Sequence, residues 1–434
     1  MNLKKTKIVC TIGPSSWDPE VMKGMIDAGM NCARVNGAFA NEDEIDKVTK
    51  LVRDVSDKVS LMMDVKGPEV RMNKFAAAIP LKPGDEIIIG NDDTAEIYPG
   101  NYPDLYKHLD VGQRILIGDG DVELRITKIE GDKMHTEVVF GEVLKPGKAM
   151  NLPGASIASQ ILTEKDKVNL AYSMKMGWDY VSASFIQNAE AAREVNEFLK
   201  GSKMKLIAKI EDQDGVDNID EILDEVDGIM VARGGLGVEL GLEYVPIVQR
   251  ILIEKAVMAG KIVITATQML ESMATNPRPT RAEANDVATA IFLGSDSVML
   301  SAESSAGEYP VEAVQFMSRV AEVSEPLLNP TQYHEAMDVE TQIQELANTT
   351  IELAVSTEGL DAIVVYDTDG ELARMIGRNM PYEPVVAVVE DAQVARFLSI
   401  AKGVSVVANE AELAELGFQK ILKVNREDES VEVV

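Results

Sequence analysis

Eight short apolar runs that alternate with longer amphipathic stretches constrain the fold of this chain more than any other feature. Each run is too short for a typical helix and is bounded by polar residues or glycine, which is typical of strands buried on both faces. The alternation predicts an α/β protein built on a TIM (β/α)8 barrel, and an open doubly wound sheet is the alternative. The predicted strands are residues 6–13, 31–36, 60–65, 180–185, 205–210, 228–233, 262–267 and 297–302, and the predicted helices include 18–29, 42–57, 189–200, 246–259 and 280–293.

Residues 205–239 form one predicted strand–helix–strand unit with charged groups at its strand ends. Lys209 and Glu211 close the first strand, and Arg233 closes the second. The turn at residues 234–237 (GGLG) then presents main-chain amides that no bulky side chain covers. A cation beside a carboxylate, facing a glycine-rich segment, is typical of a phosphate and metal site.

Residues 72–153 interrupt the alternation and predict a separate, small all-β domain. They contain DG, EGD and PG turn signals between strand-like runs that lack helical periodicity. The predicted barrel therefore comprises residues 1–71 and 154–331. The alternation resumes after residue 331, which predicts an α/β domain over residues 332–434.

The composition argues against several functional classes. The 434 residues carry a net charge of −30 and a pI near 4.5, which argues against a nucleic-acid or anionic-membrane partner. No apolar run reaches the roughly 18 residues that a membrane span needs, and the first residues lack a signal-peptide pattern, so we expect a cytoplasmic protein. Cys10 and Cys32 lie in apolar runs and are expected to be buried free thiols.

Charged and hydroxyl side chains collect at the carboxyl ends of the predicted strands, where a TIM barrel carries its active site. Cations, carboxylates and hydroxyls on one face suit an anionic phosphate ester held by Lys or Arg and one metal ion. The alternative is that the same side chains form structural ion pairs at the barrel mouth. The residues are Arg34, Asn36, Asp64, Lys66, Arg71, Lys209, Glu211, Arg233, Thr267, Ser301 and Glu303.

The chain resembles the pyruvate kinase family along almost its whole length. The matching segments are TKIVCTIGPSS, DVKGPEVR, MNLPG, KIEDQDGVDNIDEIL, DGIMVARGGLGVE, ATQMLES with NPRPTRAE, and GEYPVEA. The resemblance implies a barrel with an inserted B domain that closes as a lid, and an α/β carboxyl-terminal domain. It also implies transfer of a phosphoryl group from phosphoenolpyruvate to ADP, with Mg²⁺ or Mn²⁺ and K⁺. A homo-oligomer, dimer or tetramer, is implied as well.

The same resemblance assigns roles at the phosphoryl group. Lys209 stabilises the group as it moves between oxygens, and Glu211 binds the divalent metal. Arg34 acts in catalysis, and both Arg34 and Arg71 bind phosphate oxygens of the substrate and the nucleotide. Asn36 belongs to the nucleotide site and also to the monovalent-cation site.

Further residues are assigned to the two substrates by resemblance. The amides of Gly234 and Gly235 receive the substrate carboxylate. Thr267 lies near the enolate carbon and helps a water or hydroxyl network to protonate it. Lys148, just before the return to the barrel, reaches the nucleotide phosphates. Asp64 joins Asn36 as a ligand of the monovalent cation.

The sequence departs from the family at both predicted metal sites. The family has an aspartate, the second protein carboxylate on the divalent metal, where this chain has Gly235. One carboxylate with substrate oxygens can still hold Mg²⁺, so metal binding is expected to be weakened rather than lost. After Asn36, Ala38 removes a hydroxyl ligand of the monovalent cation and Phe39 replaces a histidine near the nucleotide base; Val65 replaces a threonine after Asp64. The potassium site is therefore predicted to be degraded.

The carboxyl-terminal domain also departs from the family. The loop that often binds a sugar phosphate reads YDTDGE over residues 366–371, and its three carboxylates would repel a phosphate. The domain is also shorter near its end than is usual in the family. Activation by a sugar phosphate is therefore not expected.

Three hypotheses for the function follow. The first is a pyruvate kinase-type phosphotransferase with a modified metal site. The second is an enzyme of keto-acid enolate chemistry, a decarboxylase or tautomerase, because Lys209 and Thr267 also suit enolate stabilisation and proton transfer. The third is a catalytically weakened relative that binds a metabolite.

Overall fold

The computed structural model describes residues 4–73, 75, 77–92, 95–118, 120–155, 160–328 and 341–434. All the strands and helices named below lie within these ranges. The predicted domain boundary between residues 331 and 332 lies outside them. Within these ranges, no helix combines the length and the apolar character that crossing a membrane requires.

Short strands occur in all three predicted parts of the chain. In chain order they are β1 Lys7–Thr11, β2 Cys32–Asn36, β3 Ser60–Val65, β4 Ile79–Pro80, β5 Glu86–Ile89, β6 Arg114–Ile117, β7 Val122–Glu130, β8 Lys133–Phe140, β9 Val143–Leu144 and β10 Met150–Asn151. The later strands are β11 Tyr180–Ala183, β12 Lys205–Ile210, β13 Gly228–Ala232, β14 Ile262–Ala266, β15 Ser297–Leu300, β16 Ala362–Tyr366, β17 Val385–Val388, β18 Val404–Val407, β19 Ile421–Asn425 and β20 Ser430–Val433.

The α-helices follow the same order. They are α1 Pro19–Asp27, α2 Glu42–Arg53, α3 Glu164–Lys175, α4 Ala189–Phe198, α5 Gln213–Asp217, α6 Ile219–Glu225, α7 Arg233–Leu240 and α8 Val245–Met258. The remaining ones are α9 Arg281–Leu293, α10 Ala302–Ser305, α11 Pro310–Ser324, α12 Gln342–Ser356, α13 Glu371–Arg378, α14 Ala392–Phe397 and α15 Glu410–Ala414.

The predicted barrel is confirmed. Strands β1, β2, β3 and β11–β15 close into a parallel barrel in the order β1-β15-β14-β13-β12-β11-β3-β2. The two faces of each strand are both apolar because one faces the interior and the other faces the surrounding helices. In β1, Val9 belongs to the interior cluster, whereas its neighbours Ile8 and Cys10 belong to the cluster beneath the helices. Cys10 and Cys32 are free and buried, as predicted.

A second sheet lies between β3 and β11 in the chain, as the turn signals predict. Its strands are antiparallel and ordered β10-β6-β7-β8-β5, and β4 pairs separately with β9. The sheet has its own apolar cluster, which includes Ile89, Ile115 and Leu124. A bridge between Arg71 and Ala149 joins the chain entering this region to the chain leaving it.

The carboxyl-terminal α/β domain has a five-stranded sheet ordered β18-β17-β16-β19-β20. Strands β16–β19 are parallel, and β20, which the sequence pattern did not predict, adds an antiparallel edge. The domain closes the amino-terminal end of the barrel, since Ile400 packs into the cluster of the barrel interior. The Phe397 carbonyl accepts a hydrogen bond from the Tyr180 hydroxyl, and Arg396 forms an ion pair with Asp179 (2.7 Å).

The strand–helix–strand unit of residues 205–239 has two differences from its predicted form. The connecting segment is two short helices, α5 and α6, with Asn218 between them, and the Asn218 side chain donates to the Gln187 carbonyl (2.9 Å). The glycine-rich turn is instead the first turn of α7, which begins at Arg233. Strand β13 therefore leads directly into a helix N-terminus at the carboxyl end of the barrel.

Candidate active site

Four charged side chains meet where β2, β3 and β12 end. Arg34 Nε lies 2.9 Å from Asp64 Oδ2, and Lys209 Nζ lies 3.4 Å from Asp64 Oδ1 and 3.1 Å from Glu211 Oε1. Lys209 Nζ also donates to Ser184 Oγ (2.6 Å). The structure thus places the predicted cation beside the predicted metal-binding carboxylate, in a chain of alternating charges.

The electrostatics of this cluster favour a charged lysine. Burial alone would lower the pKa of Lys209, but the carboxylates of Asp64 and Glu211 outweigh burial and raise it. Burial works against ionisation of Asp64 in the same way, yet Arg34 and Lys209 hold its pKa below the usual value. Burial raises the pKa of Glu211, and Lys209 offsets this only in part. The pKa of Lys209 is therefore raised even though its side chain is buried at the barrel mouth.

Three hydroxyl residues that the sequence analysis did not single out complete the cluster. Ser182 Oγ donates to Asp64 Oδ2 (2.9 Å), and Thr11 Oγ1 accepts from Arg34 Nη1 (2.7 Å). Ser184 is the third, at Lys209 as described above. The predicted strand YVSASF contains the signal, because serines two residues apart in a strand point to the same face.

Thr267, at the end of β14, lies against the first turn of α7. Its Oγ1 accepts from the Gly234 amide (2.9 Å) and donates to the Ala266 carbonyl (2.6 Å). Thr267 has a φ of 70° and Gln268 a φ of 53°, in the left-handed region that a β-branched residue rarely adopts. Backbone strain of this kind costs on the order of 1–3 kcal/mol and concentrates at functional sites.

Arg233, the first residue of α7, is buried beneath this turn. Its Nε donates to the Ala266 carbonyl (3.1 Å), and its Nη2 donates to the Thr267 carbonyl. Its Nη1 contacts both carboxylate oxygens of Asp286 (2.8 and 2.7 Å) and Gln249 Oε1 (3.2 Å). The guanidinium therefore points away from the barrel mouth, toward α8 and α9.

Gly235 brings α7 into close contact with Glu211, the predicted metal-binding carboxylate. A Cβ atom built on Gly235 would lie 2.9 Å from Glu211 Cβ and 3.2 Å from the Glu211 carbonyl oxygen. Cβ contacts under 3.0 Å essentially never occur in proteins, so a larger residue would require α7 or Glu211 to shift. Gly235, where the resemblance predicts an aspartate, is thus the residue that lets α7 pack closely against Glu211.

The predicted monovalent-cation residues make contacts with the protein itself. Asn36 Oδ1 accepts from the Ala38 amide (3.1 Å), and Asp64 is shared by Arg34, Lys209 and Ser182 as described. The Gly37 amide donates to the Asp64 carbonyl (2.7 Å), where a Cβ on Gly37 would lie only 2.6 Å from that oxygen. The loop after β2 therefore packs closely onto β3, and Lys165 Nζ binds the Ala38 carbonyl (2.7 Å).

Arg71 and Lys148 lie where the chain enters and leaves the inserted sheet. Arg71 donates from Nε to Glu69 Oε2 (2.6 Å) and from Nη1 to the Gly147 carbonyl (2.9 Å). Glu69 also pairs with Lys66. Lys148 is half-buried, and no hydrogen bond or ion pair joins its ammonium to the rest of the described chain.

A cavity of about 470 Å³ adjoins the cluster on the side of β11 and β12. Its described lining includes apolar residues of the return from the inserted sheet and acidic residues of the barrel, among them Asp212, Asp214 and Glu239. Burial, with Asp212 and Asp214 nearby, raises the pKa of Glu239 to about 7. The cavity gives this side of the barrel mouth an acidic character that contrasts with the cationic Lys209 and Arg34.

Glu211 is the carboxylate that would hold a divalent metal here. Within the described ranges, no group of three or more His, Cys, Asp or Glu side chains converges as a complete metal site. Glu211 Oε2 accepts from the Phe185 amide (3.1 Å) and Oε1 faces Lys209, so its oxygens are fixed at the mouth. Mg²⁺ is commonly held by one or two carboxylates together with substrate oxygens and water. The residues present fit a metal that depends on the substrate for its other ligands.

A residue that the sequence analysis did not identify, Arg426, offsets part of the negative charge of the loop at residues 366–371. Arg426 forms ion pairs with Asp367 (3.0 Å), Asp369 and Glu371 (3.4 Å). Asp367 also accepts from the Ala373 amide (3.0 Å) and Asp369 from the Glu371 amide (3.0 Å). The protein's own carboxylates thus occupy the N-terminus of α13, where an anionic ligand would compete for the same amides.

Comparisons with known proteins agree with this architecture. The family model for the barrel domain of pyruvate kinase matches residues 3–314, and the model for its alpha/beta domain matches residues 344–433. The chain belongs to the pyruvate kinase family. The pyruvate kinase of Bacillus licheniformis is 41% identical over 97% of this chain and 75% of its own length. That of Clostridium perfringens is 38% identical over 93% of this chain and 88% of its own length.

A solved structure supports the same assignment. A pyruvate kinase from Cryptosporidium parvum matches with a TM-score of 0.93 at 31% identity, covering 100% of this chain and 96% of that one. Membership of the pyruvate kinase family makes this chain a kinase-type phosphotransferase on a TIM barrel. The predicted family and fold class are therefore confirmed.

Proposed function

We propose that this protein transfers the phosphoryl group of phosphoenolpyruvate to ADP, producing pyruvate and ATP, with one protein carboxylate at its divalent metal. The observation that supports this most is the buried Lys209 ammonium, held by Asp64, Glu211 and Ser184. An ammonium fixed in advance stabilises charge as the phosphoryl group moves between oxygens, without reorganisation during the reaction.

Lys209 and Arg34 act on the transferred group from neighbouring strands. Arg34 is oriented by Asp64 and Thr11, and two of its guanidinium nitrogens are thereby engaged. Its remaining nitrogen and the Lys209 ammonium bind phosphoryl oxygens. Glu211 would hold Mg²⁺ or Mn²⁺, which when bound would polarise the phosphoryl and enolate oxygens as a Lewis acid.

The N-terminus of α7 binds the carboxylate of phosphoenolpyruvate. The Gly235 amide lies in the first turn of α7, where helix amides have no partner within the helix. The Gly234 amide is already shared with Thr267 Oγ1, so it contributes mainly by fixing that hydroxyl. Thr267 then holds the hydroxyl and water network that protonates the enolate carbon.

The nucleotide lies toward the inserted domain. We assign its phosphates to Arg71 and Lys148, together with Arg34 and Asn36 at the end of β2. Lys148 supports this because its ammonium has no partner in the described chain. Arg71 supports it because the bridge to Ala149 places it at the base of the inserted domain, where closure of that domain would move it.

We propose that potassium has at most a small effect on this reaction. Asn36 and Asp64 are the remaining residues of the degraded site, and their oxygens are engaged by protein donors. We further propose domain limits of 1–71 and 154–331 for the barrel, 72–153 for the inserted domain and 332–434 for the carboxyl-terminal domain. A cytoplasmic homo-oligomer completes the proposal, supported by family membership and by two buried free thiols.

A second candidate function is enolate chemistry on a keto acid without phosphoryl transfer. Gly235 favours it, because loss of the second metal carboxylate affects the phosphoryl step more than stabilisation of an enolate by Lys209. A third is binding of a metabolite without catalysis. Solvent-deuterium exchange into the pyruvate methyl group, measured without nucleotide, distinguishes these two, since only the enolate enzyme exchanges it.

A coupled assay for pyruvate from phosphoenolpyruvate and ADP tests the main proposal, with Mg²⁺ or Mn²⁺ and with or without K⁺. The wild-type protein is compared with Lys209→Met and with Lys200→Met, whose ammonium is exposed on the surface beside Glu197. Turnover that only the Lys209 variant loses supports the proposal. Absence of wild-type turnover with both metals refutes it.

A further inference from the structure

The main chain at Thr267 needs an external restraint to keep its conformation. Threonine is β-branched, and two consecutive residues with positive φ, Thr267 and Gln268, are not maintained by local preference. Strand β14 ends at Ala266, so sheet pairing stops just before this turn. The contacts that hold the turn must come from elsewhere in the fold.

Arg233, the first residue of α7, supplies those contacts from the side of the turn that faces α8 and α9. Its guanidinium donates to the consecutive carbonyls of Ala266 and Thr267, which belong to the peptide planes on either side of the Thr267 Cα atom and so restrain its φ and ψ. The same guanidinium is held by Asp286 of α9 and Gln249 of α8. A planar guanidinium has several fixed N–H donors and can make all these hydrogen bonds at once, whereas a lysine ammonium cannot reproduce the arrangement.

We propose that Arg233, oriented by Asp286, is a positioning residue that sets the Thr267 hydroxyl for protonation of the enolate. This rests on the proposed function. After the bond between phosphorus and the enol oxygen breaks, the enolate carbon C3 takes a proton from the water network at Thr267. The enolate electrons form the new C–H bond and the keto group of pyruvate. Arg233 touches neither substrate, and it acts through the Thr267 main chain.

Two variants separate positioning from folding. Arg233→Lys keeps the positive charge but loses the planar set of guanidinium donors. Asp286→Asn keeps the side-chain shape but removes the negative charge that orients the guanidinium. Arg193→Lys is the matched control, because Arg193 forms a two-nitrogen contact with Glu225 (2.9 and 2.7 Å) on the exposed surface of the barrel. For each variant, ATP formation, deuterium exchange into the pyruvate methyl group and a crystal structure are measured.

Both site variants are expected to slow methyl exchange by about a hundredfold, the usual contribution of a positioned acid or base. ATP formation should fall much less, because enolpyruvate that leaves the site still becomes pyruvate in solution. The KM for phosphoenolpyruvate should stay unchanged, and Thr267 should relax to a negative φ in the crystal. The surface control should match the wild type in every measurement.

Equal loss of exchange and ATP formation would overturn the proposal, since a general structural defect affects both steps. A Thr267 φ that stays positive in both variants would also overturn it, whatever the rates. If the wild type shows neither ATP formation nor exchange, the proposed function fails. The crystal structures alone then decide whether Arg233 restrains Thr267.

Discussion

The two ends of the barrel bury lysines in opposite electrostatic states. At the carboxyl end, Lys209 lies between the carboxylates of Asp64 and Glu211, and its pKa is raised. At the amino end, Lys7 donates to the carbonyls of Val404 (2.6 Å) and Lys4 (3.3 Å), and burial lowers its pKa to about 7. Lys402 donates to the Ile291 carbonyl (3.0 Å), and burial lowers its pKa to about 8.

Carboxylates are present at both ends, but they bind different partners. At the amino end, Glu325 accepts from the amides of Lys5 (2.9 Å) and Thr6 (2.7 Å). Asp296 accepts there from the amides of Val263 (2.9 Å) and Lys402 (2.9 Å). The charge of a buried lysine is thus set by what its ammonium touches, and depth alone does not decide it. One end of the barrel holds a lysine between two carboxylates, and the other end joins the barrel to the carboxyl-terminal domain.

The largest expected effect is at the carboxyl end. Lys209→Met should lower kcat by about a thousandfold, because one preorganised donor to a developing charge contributes on this order. Circular dichroism and the thermal midpoint confirm that the variant is folded. If Lys7→Met lowers kcat as strongly as Lys209→Met does, the functional contrast between the two ends is wrong.

Gly235 tests how closely the carboxyl end is packed. Gly235→Ala and Gly235→Asp should each lower the free energy of unfolding by about 1–3 kcal/mol, because a Cβ would press on Glu211, 2.9 Å away. The difference between the two variants isolates the added carboxylate. We expect the aspartate variant to have the higher turnover with Mn²⁺ and the lower metal concentration for half-maximal rate. Equal turnover in the two variants would show that the missing carboxylate is not limiting.

The contrast between the two ends also shows what the sequence could predict. Runs that are apolar on both faces occur where strands lie between a packed interior and a ring of helices, so the barrel was predictable. The apolar runs end at or next to three charged residues, Asp64, Lys209 and Glu211. Their meeting at the carboxyl end of the barrel was therefore predictable too. Each of these inferences needs only local pattern and the known geometry of parallel strands.

Other features depend on contacts between distant residues, which local pattern does not contain. Arg233 reads as a strand-end cation for the active site, but it turns away to Asp286, a partner in a helix 53 residues along the chain. Local pattern also does not show which domain covers Lys7, whose ammonium is buried against the Val404 carbonyl of the carboxyl-terminal domain. The close packing of Gly235 against Glu211 depends on the position of α7, which a local sequence motif does not determine.

At the amino end, we expect stability to rise with pH. The unfolded pKa of Lys7 is near 10.5 and its folded pKa is about 7, so between these values the unfolded chain binds more protons. The free energy of unfolding should therefore rise through this window, by at most about 1.4 kcal/mol per pH unit for one lysine. Below pH 7 this contribution is constant, because Lys7 is protonated in both states.

Chemical denaturation at several pH values from 7 to 10 measures this slope. Lys7→Met should reduce it, and Lys200→Met on the exposed surface should leave it unchanged. Lys4 and Lys402, whose pKa values are lowered to about 8, account for part of the slope that remains. A slope that is the same in Lys7→Met and in the wild type would contradict the lowered pKa of this lysine.

The smallest effect is expected from potassium at the carboxyl end. There the internal cations Arg34 and Lys209 already share Asp64, and the Asn36 oxygen is engaged by the Ala38 amide. Omitting K⁺ should therefore change kcat by less than about tenfold, or about 1.4 kcal/mol in the barrier. Ala38→Ser restores a hydroxyl ligand, but Gly37 still holds the loop against β3, so the variant should gain little dependence on K⁺. Strong activation of the wild type by K⁺ over Na⁺ would mean that the loop opens and that Asp64 leaves its internal partners. The carboxyl end would then be less preorganised than its contacts indicate, and the contrast with the amino end would rest on Lys209 alone.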